Sequence, residues 1–164
     1  MRHIENLADR SLGAVIEAIA SDDVSPGAGS AAAVGLALAA ACAGKAVAIT
    51  LKHRSEDAGL IRAQQELADI LHRALHGADE DAAHFREFVH EKDAGSLQNL
   101  LRTGEELQQL GSALHSVLER LEGHIDSAVE GDIKAARVLC AAFSVIQSEN
   151  LADNRGSTEQ IGRS

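Results

Sequence analysis

The feature of this 164-residue chain that most restricts its fold is the run SPGAGSAAAVGLALAAACAGKAVAIT at residues 25–50. It contains the only proline of the sequence, Pro26, and consists mostly of alanine and glycine. A helix over about 29–51 would be apolar on nearly every side, which is typical of a central, buried helix. Its small side chains would let neighbouring helices, or the same helix of a second subunit, approach closely.

The run could also be read as a membrane span, a signal peptide or a phosphate-binding loop. The first two are unfavourable, and the third survives only in a weaker form. A membrane span would place Lys45 near the bilayer centre, and a signal peptide would not follow so many acidic residues. A phosphate loop needs a preceding strand and a Ser or Thr where Ala46 stands. A helix that starts at the PGAGS turn could still hold an anionic ligand atom with its free N–H groups.

The rest of the chain predicts four more helices, and therefore an all-α, five-helix bundle. Helical spacing of apolar residues marks helices at about 4–20, 56–91 and 96–121, and Asp132 is expected to cap the last one. Leucine recurs every seven residues in the fourth helix, which is typical of a bundle seam. Its members are Leu100, Leu107, Leu114 and Leu121. Residues 1–154 are expected to form one domain and 155–164 a polar tail.

The net charge and the cysteines limit the expected binding partners and cellular compartment of the protein. A net charge of −10 makes nucleic acid and anionic membranes unfavourable partners. Cys42 and Cys140 both lie in apolar helical patterns, so we expect two reduced, buried thiols in a cytoplasmic protein. Glu87 and His90 form one E-x-x-H pair, but a di-iron bundle needs two, so no metal site is expected.

Polar residues inside apolar stripes mark the candidate functional positions. In the last helix, Asp132, Asn150 and Asn154 share the direction of the core-facing residues, Ile146 among them, at 100° per residue. A buried amide must find hydrogen bonds, either to another helix or subunit or to a ligand in a pocket, and the spacing favours neither. Asp81, at the edge of the apolar face of the third helix, raises the same question.

These segments together resemble the cyclodeaminase/cyclohydrolase domain of folate metabolism. That family includes formiminotransferase-cyclodeaminase and stand-alone methenyltetrahydrofolate cyclohydrolases. Residues 12–50 are similar to its opening helix, proline- and glycine-rich turn and small-residue helix, and DEDAAHF at 79–85 is similar to its acidic-alanine-phenylalanine segment. The spacing of Asp132, Asn150 and Asn154 is the third point of similarity.

The resemblance implies a helical dimer with a folate site near the glycine-rich turn and the subunit interface, and no metal. The substrate would be a tetrahydrofolate derivative: 5-formiminotetrahydrofolate, closed with loss of ammonia, or 5,10-methenyltetrahydrofolate, hydrolysed to the 10-formyl compound. Asp81 is the expected acid–base residue, with Lys52 or His53 as alternatives. The expected ligand-binding residues are Pro26, Gly27, Gly29, Ser30, Arg54, Asp132, Asn150 and Asn154.

Among the positions that depart from the family pattern, three bear most on the function. Ala28 replaces the middle glycine of the turn, and Gly131 and Lys134 stand beside Asp132 in place of the usual residues. These departures support an alternative function: a non-catalytic relative that binds a folate-like ligand or a protein partner.

Overall fold

The computed structural model of the protein describes residues 6–157, and this part of the chain forms five α-helices and no strand. The helices are α1 (Leu12–Ile19), α2 (Ala28–Leu51), α3 (Ala58–Glu91), α4 (Ala94–Arg120) and α5 (Glu130–Gly156). Short 3₁₀ turns at Leu7–Asp9 and Ser127–Val129 precede α1 and α5. The predicted all-α, five-helix architecture is confirmed.

The small-residue helix α2 is the centre of the bundle. It packs between α3 and α5, and α4 closes the far side by contacting those two helices. Several of its alanines, Ala33, Ala39 and Ala43 among them, have no exposed surface at all. The predicted leucine seam of α4 is also buried. Within residues 6–157, α2 alone is long and apolar enough to cross a membrane, and half of it is buried inside the bundle.

Two glycines of α4 set the distance between α4 and α5. A Cβ at Gly104 would lie 2.6 Å from Cδ2 of Leu151, and one at Gly111 would lie 2.8 Å from Cδ1 of Phe143. Real Cβ atoms do not come this close to a neighbour, and the Phe143 ring is buried with no room to move away. These two glycines therefore allow α5 to pack closely against α4.

The ends of three helices differ from the sequence prediction. The first helix begins only at Leu12, because the Ser11 hydroxyl caps it by accepting a hydrogen bond from the N–H of Ala14. The cap of α4 is Asp93, whose Oδ1 accepts a hydrogen bond of 2.7 Å from the N–H of Ser96. This helix therefore starts at Ala94, before the predicted start at about residue 96, and Ser96 is not its cap. Asp132 does not cap α5 either, since that helix starts at Glu130.

The end of α5 and its buried stripe also needed correction. The helix continues to Gly156, so the first two residues of the predicted tail are helical, while 158–164 lie outside the described residues. Ile146 is 39% exposed rather than core-facing, and Gln147 takes its place. Cys140 is buried as expected, whereas Cys42 is only partly buried on the outer side of α2.

Candidate functional site

The N-terminus of α2 follows a turn that is fastened to α3. The peptide bond between Ser25 and Pro26 is cis, and Gly27 is the N-cap residue in an extended conformation. Ser25 and Pro26 therefore precede the helix, and they are not its cap and first residue. Instead, the buried Ser25 hydroxyl donates a hydrogen bond of 2.7 Å to the carbonyl oxygen of Ala82. This bond holds the turn next to Asp81.

The carboxyl group of Asp81 is the centre of the candidate site. Asp81 is 4% exposed, and its Oδ2 accepts a hydrogen bond of 2.9 Å from the hydroxyl of Ser30, which is fully buried. Gly29 makes room for this arrangement. A Cβ there would overlap Oδ1 of Asp81 and lie 2.7 Å from Nδ2 of Asn150. Polar groups of α2, α3 and α5 thus meet at one point.

Burial dominates the electrostatics of this carboxyl. Loss of water around Asp81 raises its pKa, while hydrogen bonding by Ser30 and the charge of His84 oppose the rise. The net direction is upward, so the protonated form is favoured more than for an ordinary aspartate. Such a carboxyl is suited to donating and accepting protons closer to neutral pH.

Two amides of α5 lie at the same end of the bundle. Asn150 is partly buried, and Asn154, one helical turn further on, is 7% exposed. Among residues 6–157 neither side chain makes a hydrogen bond to another residue. A mostly buried amide without an internal partner is available to a ligand or to a second subunit. The interhelical bond considered from the sequence is therefore not made within the chain.

Sequence reasoning missed two polar residues near this cluster. Gln147 is fully buried; its Nε2 donates to the carbonyl of Gly104 at 3.0 Å, and its Oε1 has no partner among the described residues. Its position three residues before Asn150 was a signal that could have revealed it. The second residue is His84, which is half-buried, with Nδ1 2.9 Å from Oγ1 of Thr103.

The predicted cationic residues lie at the opposite end of α2. Lys52 to Arg54 follow the last turn, roughly 33 Å from Ser30 at about 1.5 Å per residue. The Nδ1 atom of His53 is 2.9 Å from Oδ2 of Asp126, and Arg54 donates to the carbonyl of His124 at 3.0 Å. One subunit therefore does not bring Lys52, His53 or Arg54 to Asp81.

Asp132 is also remote from the cluster. Its carboxylate pairs with Lys45 at 3.0 Å, and it lies roughly 27 Å from Asn150 along α5 at about 1.5 Å per residue. Gly131 and Lys134, two of the departures from the family pattern, share this distant end. The third, Ala28, is exposed. The residue at which a side-chain methyl group would not fit is Gly29 rather than residue 28.

A cavity of about 320 Å³ adjoins the turn. Pro26 and Ala82 line it together with charged residues that include Asp79 and Arg86. In the described part of the chain, no group of three or more His, Cys, Asp or Glu side chains is placed to hold a metal ion.

Fold and site together define a helical bundle with a buried carboxyl, of raised pKa, at the N-terminus of its central helix. The formiminotransferase-cyclodeaminase family matches residues 11–154, so the chain belongs to this family, as the sequence resemblance predicted. The fold is similar to the crystal structure of formiminotetrahydrofolate cyclodeaminase from Thermotoga maritima, with a TM-score of 0.82 and 16% identity. That similarity covers 96% of this chain and 87% of the other. No curated protein sequence matches the chain.

Proposed function

We propose that this protein is a folate one-carbon enzyme that acts on 5-formimino- or 5,10-methenyltetrahydrofolate, with Asp81 as its acid–base residue. The observation that carries the proposal is the burial of Asp81 against Ser30 and beside the Asn150 amide, at the start of α2. Membership of the formiminotransferase-cyclodeaminase family and the cyclodeaminase-like fold support it.

A carboxyl with a raised pKa can serve either reaction. In ring closure, N10 of the folate attacks the carbon of the protonated formimino group and loses its proton, and the amino nitrogen gains that proton and leaves as ammonia as its bond to carbon breaks. Asp81 would take the proton from N10 and give it to the leaving nitrogen. In hydrolysis, Asp81 would take a proton from the water that attacks the methenyl carbon and give it to N5 as the C–N5 bond breaks, while the remaining hydroxyl proton is released to solvent as the formyl C=O forms. Asn150 and Asn154 would hold the folate by their free amide groups.

The proposal is tested by following the methenyl absorbance in the presence of the purified protein. Ring closure makes the methenyl compound from 5-formiminotetrahydrofolate, and hydrolysis consumes it, so the sign of the change identifies the reaction. We expect one of the two rates to exceed that in buffer. If both rates equal those in buffer while a folate still raises the melting temperature, the non-catalytic alternative is the better description.

The outer face of α2 supports a dimer as part of this proposal. Leu38 is 48% exposed, and it belongs to a stripe of exposed or partly buried apolar residues at helical spacing that ends at the exposed Lys45: Val34, Leu38, Ala41 and Cys42. A two-fold axis perpendicular to α2 near its middle would make the two copies antiparallel. The C-terminal end of one α2 would then lie beside the N-terminus of the other. This arrangement would give Lys52 and His53 of the partner subunit access to Asp81.

Replacing Leu38 with glutamate should therefore separate the subunits. A charge at the centre of an apolar contact must be desolvated without a partner, which costs several kcal/mol, so we expect the mass in analytical ultracentrifugation to fall from dimer to monomer. Gln109→Glu adds the same charge on the exposed face of α4 and should leave the dimer intact. An unchanged mass for Leu38→Glu would show that α2 is not the contact.

A further inference from the structure

His84 occupies an unusual position for a histidine on a long helix. It lies three residues after Asp81 on α3, so the two side chains are neighbours on the helix surface. Its ring is half-buried and is held from α4, where Nδ1 lies 2.9 Å from Oγ1 of Thr103. Thr103 is only 2% exposed, so the anchor itself is fixed in the core. The imidazole is thus fixed close to the site carboxyl.

We propose that His84, anchored by Thr103, is a positioning residue that sets the charge of the Asp81 carboxyl without touching the substrate. The inference rests on the proposed role of Asp81. An imidazolium next to a carboxyl favours the ionised form, and this attraction is screened less than at the surface because the carboxyl is buried and the imidazole is half-buried. His84 would therefore keep the buried carboxyl from remaining permanently protonated. The opposing effects of burial and of the His84 charge on the pKa of Asp81 agree with this role.

The other groups around the pair leave this role to His84. α2 presents Ser30 to Asp81 and α5 presents Asn150, and neither side chain titrates. Glu80, one turn before His84 on α3, is within 3.5 Å of His76. On α4, two charged residues lie near Thr103: Arg102, which precedes it, and Glu106, almost one turn later. Both are exposed, and they form an ion pair with each other. Among the described residues, His84 is the one whose charge acts on Asp81.

The experiment is a carboxyl ¹³C NMR titration of protein labelled at aspartate, with the Asp81 signal assigned by its loss in Asp81→Asn. His84→Gln removes the charge, so the midpoint for Asp81 should rise by on the order of half to one pH unit. Thr103→Val keeps the imidazole but releases it, and should move the midpoint in the same direction by less. His76→Gln removes an exposed histidine from the same helix and should leave the midpoint unchanged.

The Asp81 midpoint and the turnover together distinguish a failure of the inference about His84 from a failure of the proposed function. If the midpoint rises in His84→Gln and the pH profile of turnover rises with it, the positioning role is supported. If turnover is present but neither variant moves the Asp81 midpoint, the inference is wrong and the proposed function stands. If the midpoint moves but no folate is turned over by the wild type, the coupling stands and the proposed function fails. Should His84→Gln not fold, the Thr103→Val titration decides alone.

Discussion

Replacing Asp81 with asparagine is expected to lower the turnover of either folate substrate by about 10²–10⁴-fold, the usual contribution of a positioned acid–base group. Asparagine has nearly the same shape, and its side-chain oxygen can still accept the hydrogen bond from Ser30. The loss should therefore be one of proton transfer rather than of structure. Asp69→Asn, which changes an exposed carboxylate on the same helix, is the control and should keep wild-type turnover.

The stability of the Asp81→Asn protein is a second, independent measurement, which shows whether the variant still folds. Burial raises the pKa of Asp81 in the folded protein above the usual aspartate value of 3.8, so the folded state binds the proton more tightly than the unfolded state. Stability is then lost as the pH rises from that value through the folded pKa. Asparagine lacks this titration, so its melting temperature near neutral pH should equal or exceed that of wild type. Lost activity with a lowered melting temperature would point to misfolding instead.

Replacing Gly29 with alanine is the second change with a large expected effect. Alanine suits the helix itself better than glycine by about 1 kcal/mol, so α2 should not be weakened directly. The new methyl group would instead displace the Asp81 carboxyl and the Asn150 amide, between which it has no room. Displacement of catalytic groups by about 1 Å can cost roughly 10²-fold in rate, and we expect a loss of that order with weaker folate binding.

Gly131→Ala provides a matched control for this substitution. Both glycines are the second residue of their helix, α2 for Gly29 and α5 for Gly131, but a Cβ at Gly131 meets nothing within 4 Å. Turnover and folate affinity should therefore be unchanged in Gly131→Ala. The prediction for Gly29 fails if its alanine variant binds folate and turns it over as well as this control does.

The helices were predictable from the sequence because apolar spacing fixes the side of each helix that must be buried. That spacing says nothing about the level along the bundle at which a residue lies. Asp132 and Asn150 were assigned to one site, yet five turns of α5 separate them. The contact between Ser30 and Asp81 spans 51 positions in the sequence, and only tertiary packing brings it about. Lys52 illustrates the same limit, since it lies a full helix length from the carboxyl it was grouped with.

Spacing was also too coarse to find the centre of the buried stripe of α5. Ile146 and Gln147 differ by only 100° around the helix, and the apolar residue of the two was taken to face the core. The glycine gap at Gly104 favours the other choice, because the carbonyl exposed there accepts a hydrogen bond from Gln147. Hydrophobicity alone could not show this, since a hydrogen bond offsets the cost of burying the amide.

More than half of the 24 residues of α2 are alanine or glycine, and these side chains have no rotamers to lose when the chain folds or when a ligand binds. The edge of the site formed by Gly29 is therefore rigid backbone. If a folate binds here as proposed, the side chains that it orders belong mainly to α3 and α5, Asp81 and Asn150 among them. The backbone of α2 would lose little entropy on binding and would exclude ligands whose shape does not fit beside Gly29.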